Sequence, residues 1–134
     1  MVEHPALPGE SIAYQLVSDL AAVRAFVTAR ALALGLSRDR ADLLTLAVNE
    51  LATNTLQYTE QGGEVQLWSE SGQVVCDVLD QGPVLHFGAA MPAAEAVRGR
   101  GLAIVAMVCD HVAGFADTRG SVVRLRLGIG QDRV

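Results

Sequence analysis

The chain contains no lysine, and all ten of its basic residues are arginine. That absence excludes a Walker-type phosphate loop, whose lysine sits on the phosphates. It also excludes lysine Schiff-base chemistry. A phosphate site here must rest on backbone amides, arginine and metal. Cysteine is scarce: Cys76 and Cys109 fall in apolar runs with no Cys or His at metal-ligand spacing, so both read as reduced, buried thiols. No uninterrupted apolar run approaches the ~20 residues that span a bilayer, and Met1-Val2-Glu3-His4-Pro5 lacks the order of a signal peptide. The expectation is a cytoplasmic protein without membrane attachment. A net charge of −5 lacks the concentrated basic face of a nucleic-acid binder, so direct nucleic-acid contact is not expected.

What is present fits one domain. A chain of 134 residues is long enough to bury a core. Residues 1–15, with Pro5, Pro8 and Gly9, read as an irregular segment or an edge strand, and residues 16–130 as the domain proper. Leu16, Leu20, Val23, Phe26, Val27, Ala31 and Leu34 recur at helical spacing, with Ser18 or Asp19 as N-cap and Gly35 as stop. Ser37 caps a second, longer helix to about Tyr58, whose apolar arc is Leu44, Val48, Leu51 and Thr55. The period then changes. Residues 64–70 and 73–80 read as strands joined at Ser71-Gly72. Residues 81–99, rich in Gly, Ala and Pro, have the length of a functional loop or lid. A third helix is expected from Gly101, then a hairpin over 112–116 and 121–127. This order predicts an α+β fold, a two-layer sandwich with helices on one face of a mostly antiparallel or mixed sheet.

Three places carry polar residues that such a fold does not need. Glu50 and Asn54 lie four residues apart on the second helix, so they point the same way beside an apolar arc. Asn offers a neutral oxygen to a hard cation, and a carboxylate one turn away can orient or deprotonate a hydroxyl. An exposed helix face explains the pair as well. Asp80, in Asp80-Gln81-Gly82, ends an apolar strand face and needs a donor, such as a ligand amino group, while Gly82 allows a planar ring to approach. An ordinary strand-end turn would also account for it. In Arg98-Gly99-Arg100-Gly101-Leu102-Ala103-Ile104-Val105, two glycines opening a helix present free amides to an anion, and the arginines add phosphate contacts. A tight start to a helix is the plainer explanation. No strand immediately precedes the glycines and no third glycine follows, so this is not a dinucleotide-binding fingerprint.

Taken in order, the three segments resemble the N, G1 and G2 boxes of the GHKL ATPases, the superfamily of gyrase, Hsp90, histidine kinases and MutL. Gly120-Ser121-Val122-Val123-Arg124-Leu125 is similar to the closing G3 strand, with Ser121 where a threonine is usual. The resemblance covers residues 18–128. A small domain with Glu-Leu-x-Thr-Asn and Gly-x-Gly-Leu-x-Ile-Val looks like the anti-sigma-factor serine kinases and their relatives. That resemblance implies a Bergerat-type fold binding ATP and Mg²⁺. It implies Glu50 as general base, Asn54 as Mg²⁺ ligand and Asp80 as partner of the adenine amino group. Gly82 would lie by the base, Gly99, Arg100, Gly101 and Leu102 by the phosphates, and the Ser121 hydroxyl near adenine.

The implied function is an ATP-dependent serine kinase that binds a sigma factor and phosphorylates an anti-anti-sigma antagonist, with a homodimer as the form common among relatives. The alternative is a non-catalytic module of the same fold that senses nucleotide and binds protein. A histidine-kinase fragment is disfavoured, because only a short segment precedes the first helix and His4 sits beside Pro5.

Overall fold

A computed structural model of the chain describes residues 10–84 and 99–130. Its elements run β1 (Glu10–Tyr14), a 3-10 turn (Val17–Asp19), α1 (Leu20–Ala33), α2 (Arg38–Tyr58), β2 (Gly63–Glu70), β3 (Gln73–Asp80), α3 (Gly99–Val108), β4 (His111–Asp117) and β5 (Gly120–Gly128). The five strands form one antiparallel sheet in the order β1-β2-β3-β5-β4. The three helices among the described residues form the second layer, with α2 packed against both α1 and α3. This is the α+β sandwich that the periodicities predict. Among the described residues, no helix is long and apolar enough to cross a membrane.

Local chemistry explains the boundaries. The Ser37 side chain accepts from the Arg40 amide at 3.2 Å and caps α2. Asp19 stands at the N-cap of α1, yet its side chain makes no cap hydrogen bond there. Its carboxylate accepts instead from the amides of Gln15 and Leu16, at 2.8 and 2.9 Å, so it closes the 3-10 turn. Those amides hold the Asp19 carboxyl below the usual range. Helix α3 begins at Gly99, two residues before the start expected from the apolar pattern. The first turn of a helix precedes its first packed residue, which periodicity alone does not register. Of the N-terminal segment, Glu10–Tyr14 is an edge strand paired to β2, and residues 1–9 lie outside the described residues. The expected lid likewise lies, from residue 85 to 98, outside the described residues.

Strand alternation sends Val65, Leu67, Val74, Cys76, Val78, Val123, Leu125 and Leu127 toward the helices, where Val23, Val27, Leu44 and Val48 meet them in one core. Each such aliphatic side chain contributes about 1.5–3 kcal/mol on leaving water. Burial raises both thiols: Cys109 is pushed up to about 12, and Cys76, fully enclosed, lies well above its ordinary value. They are packing residues, as expected.

The opposite face of the sheet has its own small interior. Asp77 is fully buried there. Arg124 meets it with two bonds, Nε to Oδ1 and Nη2 to Oδ2, both 2.7 Å. Arg119 Nη1 adds a third at 2.9 Å. The Arg124 guanidinium lies 5.3 Å from the Trp68 ring centroid and 5.2 Å from that of Phe115, within cation–π range. Val75, Leu79 and Val122, on the same face, are buried.

Candidate functional site

Helix α2 and the end of β3 enclose a narrow cleft lined by Leu51, Asn54, Thr55, Tyr58, Val78, Asp80, Pro83 and Val123. Its volume of about 10 Å³ holds roughly one water. Asn54 and Asp80, distant in sequence, therefore share one cavity. Asn54 is 8% exposed, so it belongs to the buried side of α2 rather than to its flank. Its Nδ2 is buried without a hydrogen-bond partner. An unsatisfied buried donor costs about 1–3 kcal/mol, and a site that binds something is one reason to keep it.

The Asp80 carboxylate is fixed at both oxygens. Thr55 Oγ1 lies 2.9 Å from Oδ2, and the Gly82 amide donates to Oδ1 at 2.7 Å. The Gly82 carbonyl in turn accepts from the Ser121 hydroxyl. A Cβ at Gly82 would sit 3.3 Å from Asp80 Oδ1 and crowd the carboxylate. Gly120 has φ of +118°, and a Cβ there would lie 2.6 Å from the Asp80 carbonyl oxygen. Only glycine lets the start of β5 close against the end of β3 in this way. The Gln81 side chain ties the same corner by donating to the Arg119 carbonyl at 2.9 Å.

The other expected residues lie on α2 and at the start of α3. Glu50, one turn before Asn54, is partly exposed and is not among the residues lining the cleft. Among the described residues its carboxylate has no hydrogen bond or ion pair. Gly99, Arg100, Gly101 and Leu102 form the first turn of α3, where four backbone amides lack helical partners. The side chains of Arg100 and Leu102, with His86 and Arg98, lie outside what is described.

Two polar residues of this corner were not singled out from the sequence. Thr55 is 3% exposed and bonded to Asp80, although it reads as part of the apolar arc of α2. Tyr14, at the end of β1, is 2% exposed, and its hydroxyl lies close to Thr55 without a hydrogen bond of full geometry. Burial, with a smaller contribution from the Asp80 charge, pushes the Tyr14 phenol up to about 12. A threonine on the buried arc beside Asn54 was the available signal for the first. The second depends on strand pairing and left none.

The donor set suits a lightly held hard cation. Among the described residues no three His, Cys, Asp or Glu side chains cluster as a metal cage. Mg²⁺ does not need one, since it keeps waters and takes few protein ligands. A half-turn of the Asn54 amide brings its carbonyl oxygen to the unsatisfied position, where such an ion would be accepted.

The sequence model of the histidine kinase-like ATPase domain matches residues 15–127, a span containing every site residue named above except Tyr14. No curated protein matches the chain.

Proposed function

The chain belongs to the histidine kinase-like ATPase domain family, and on that premise we propose that it is an ATP-binding regulatory protein acting as a serine kinase on an antagonist protein. The observation that carries this reading is the Asn54 amide, buried and unpartnered in the same cleft as an anchored Asp80 carboxylate. A folded protein has little reason to keep both at one corner unless a ligand completes them.

In this reading Asp80 accepts from the adenine amino group, and Gly82 leaves room for the ring. The amides of the first α3 turn, with Arg100, face the phosphates. Asn54 would hold Mg²⁺, and bound Mg-ATP supplies the γ-phosphoryl group with its charge neutralised. Glu50 takes the proton of the attacking serine hydroxyl, a task for which its uncommitted carboxylate is free. The proposed protein substrate is an anti-anti-sigma antagonist. Added phosphate charge would loosen the antagonist from the chain and release it to hold a sigma factor. A homodimer is proposed as the working form, which sedimentation would test.

A second reading has one observation in its favour: Glu50 is not part of the cleft lining. In that reading the chain senses nucleotide and binds protein without transfer. Incubation with labelled ATP, Mg²⁺ and a candidate antagonist separates the two. The kinase reading expects phosphoserine on the antagonist, reduced about 100-fold or more in Glu50→Ala while ATP affinity stays. Tight ATP binding without transfer to any partner supports the sensor. No adenine-nucleotide binding by the wild type sinks both.

A further inference from the structure

We propose that Thr55 and Tyr14 are positioning residues that preset the Asp80 carboxylate and thereby set the preference of the cleft for a ligand bearing an amino group. The inference rests on the reading of the cleft as a nucleotide site and goes beyond it.

The Thr55 hydroxyl has one proton and two acceptors in reach, Asp80 Oδ2 at 2.9 Å and the Leu51 carbonyl at 3.1 Å. Helical threonines commonly bond their own turn. Here the carboxylate competes for the same proton, and a charged acceptor makes the stronger bond. Tyr14 supplies what the pair lacks. Strand register sets Tyr14 opposite Gly63 and Gly63 opposite Asp80, which brings the buried Tyr14 hydroxyl beside Thr55, and among the described residues that hydroxyl has no hydrogen-bond partner. When Thr55 donates to Asp80, its lone pairs are open to the Tyr14 O–H. Were the Tyr14 O–H to close on Thr55, the chain Tyr14 to Thr55 to Asp80 would run in one direction and strengthen the bond that Thr55 already makes to Asp80.

Sequence and packing provide for this reach. A Cβ at Gly63 would fall 2.2 Å from the Leu79 carbonyl oxygen and 2.6 Å from the Tyr14 hydroxyl oxygen, so the glycine that lets β2 close on β3 also leaves the phenol its path. With the Gly82 amide on Oδ1, both carboxylate oxygens are held before any ligand arrives. The remaining lone pairs point in set directions. A donor finds a preorganised acceptor, whereas a ligand with nothing to donate leaves a desolvated carboxylate unmet.

Calorimetry with ATP and with purine riboside triphosphate, which carries hydrogen in place of the amino group, tests the proposal. Thr55→Val should lower ATP affinity about tenfold while changing affinity for the purine nucleotide little, so that discrimination collapses. Thr55→Ser should restore both. Tyr14→Phe should weaken ATP about threefold yet raise the melting temperature of the ligand-free protein, since it deletes a buried hydroxyl with no full bond. Opposite signs on binding and stability are not the mark of a merely structural residue. Equal losses for both nucleotides, failure of Thr55→Ser to rescue, or unchanged ATP binding in both Thr55→Val and Tyr14→Phe would overturn the proposal. Should Thr55→Val fail to fold, the Ser and Phe variants decide it. A wild type that binds no ATP removes the nucleotide site itself, which is a distinguishable result.

Discussion

The two faces of the sheet hold carboxylates under opposite rules. On the open face Asp77 is fully buried and receives three arginine hydrogen bonds, from Arg119 and Arg124. Asp117 and Glu70 extend the network through Arg119 and Arg126. On the helix-covered face Asp80 has, among the described residues, two neutral donors and no cation, with buried atoms of Asn54 and Tyr14 that have no partner among them in the same corner. A carboxylate surrounded by its counter-ions is structural cement. One held by neutral donors, beside unsatisfied polar atoms, keeps capacity for a ligand. The difference assigns stability to one face and chemistry to the other.

Substitutions can break or sharpen that division. The largest stability effect expected is that of Asp77→Ala, which leaves two arginines facing each other over an apolar floor. Removing one partner of a buried ion pair costs about 3–5 kcal/mol. Because Arg119 and Arg124 keep roughly a quarter to a third of their side chains in water, about 2–3 kcal/mol is expected. Urea denaturation measures it, and nucleotide affinity should stay within about twofold. A large loss of affinity with little loss of stability would dissolve the contrast between the faces.

Next comes alkaline pH. Tyr14 ionises at an ordinary 10.0 when unfolded and at about 12 in the fold. The folded value is raised, so its contribution is whole below pH 10 and is lost as pH rises through 12. The loss approaches about 2 kcal/mol. Denaturation midpoints at pH 9 and pH 11 should diverge in the wild type and by less in Tyr14→Phe, the remaining divergence coming from the raised Cys76 and Cys109 thiols, which lose stability over the same range.

Smaller still is the stability change in Asp80→Asn, below about 1 kcal/mol, since amide and carboxylate occupy similar space, the amide oxygen still accepts from the Gly82 N–H, and the Thr55 hydroxyl keeps the Leu51 carbonyl as acceptor. Its ATP affinity should nonetheless drop about tenfold or more, because an acceptor for the adenine amino group is lost. The smallest effect lies at acid pH. Backbone amides hold Asp19, the Trp68 indole N–H and Arg126 hold Glu70, and arginines with backbone amides hold Asp110 and Asp117 below their ordinary ranges, although burial opposes the shift at each. Depressed values contribute stability above the unfolded pKa and lose it as pH falls through the folded one. All four are partly or largely exposed, so melting scans from pH 5 to pH 3 should show only a shallow decline.

Much of this arrangement is legible in the sequence. Ser37, the Leu44-Val48-Leu51 arc and the Ser71-Gly72 hairpin signal carry their own local instructions, and α2, β2 and β3 follow them within a residue. Asn54 and Asp80 were legible as polar residues out of keeping with apolar elements. Asp77 was not, because in sequence it is one polar residue in a strand, while its partner Arg119 is 42 positions away. Thr55 belongs by position to the apolar arc of α2. Its hydroxyl acquires a second meaning only when β3 brings Asp80 to it. Asp19 was legible as an acceptor for a turn of helix but not as one for the preceding 3-10 turn.

What the sequence determined by itself was periodicity, caps, turns and the absence of lysine, because these depend on neighbours within a turn or a hairpin. Only tertiary structure decided which carboxylate is neutralised and which is kept open. That choice depends on what strand register and helix packing bring within 3 Å, and no local pattern encodes such a distance.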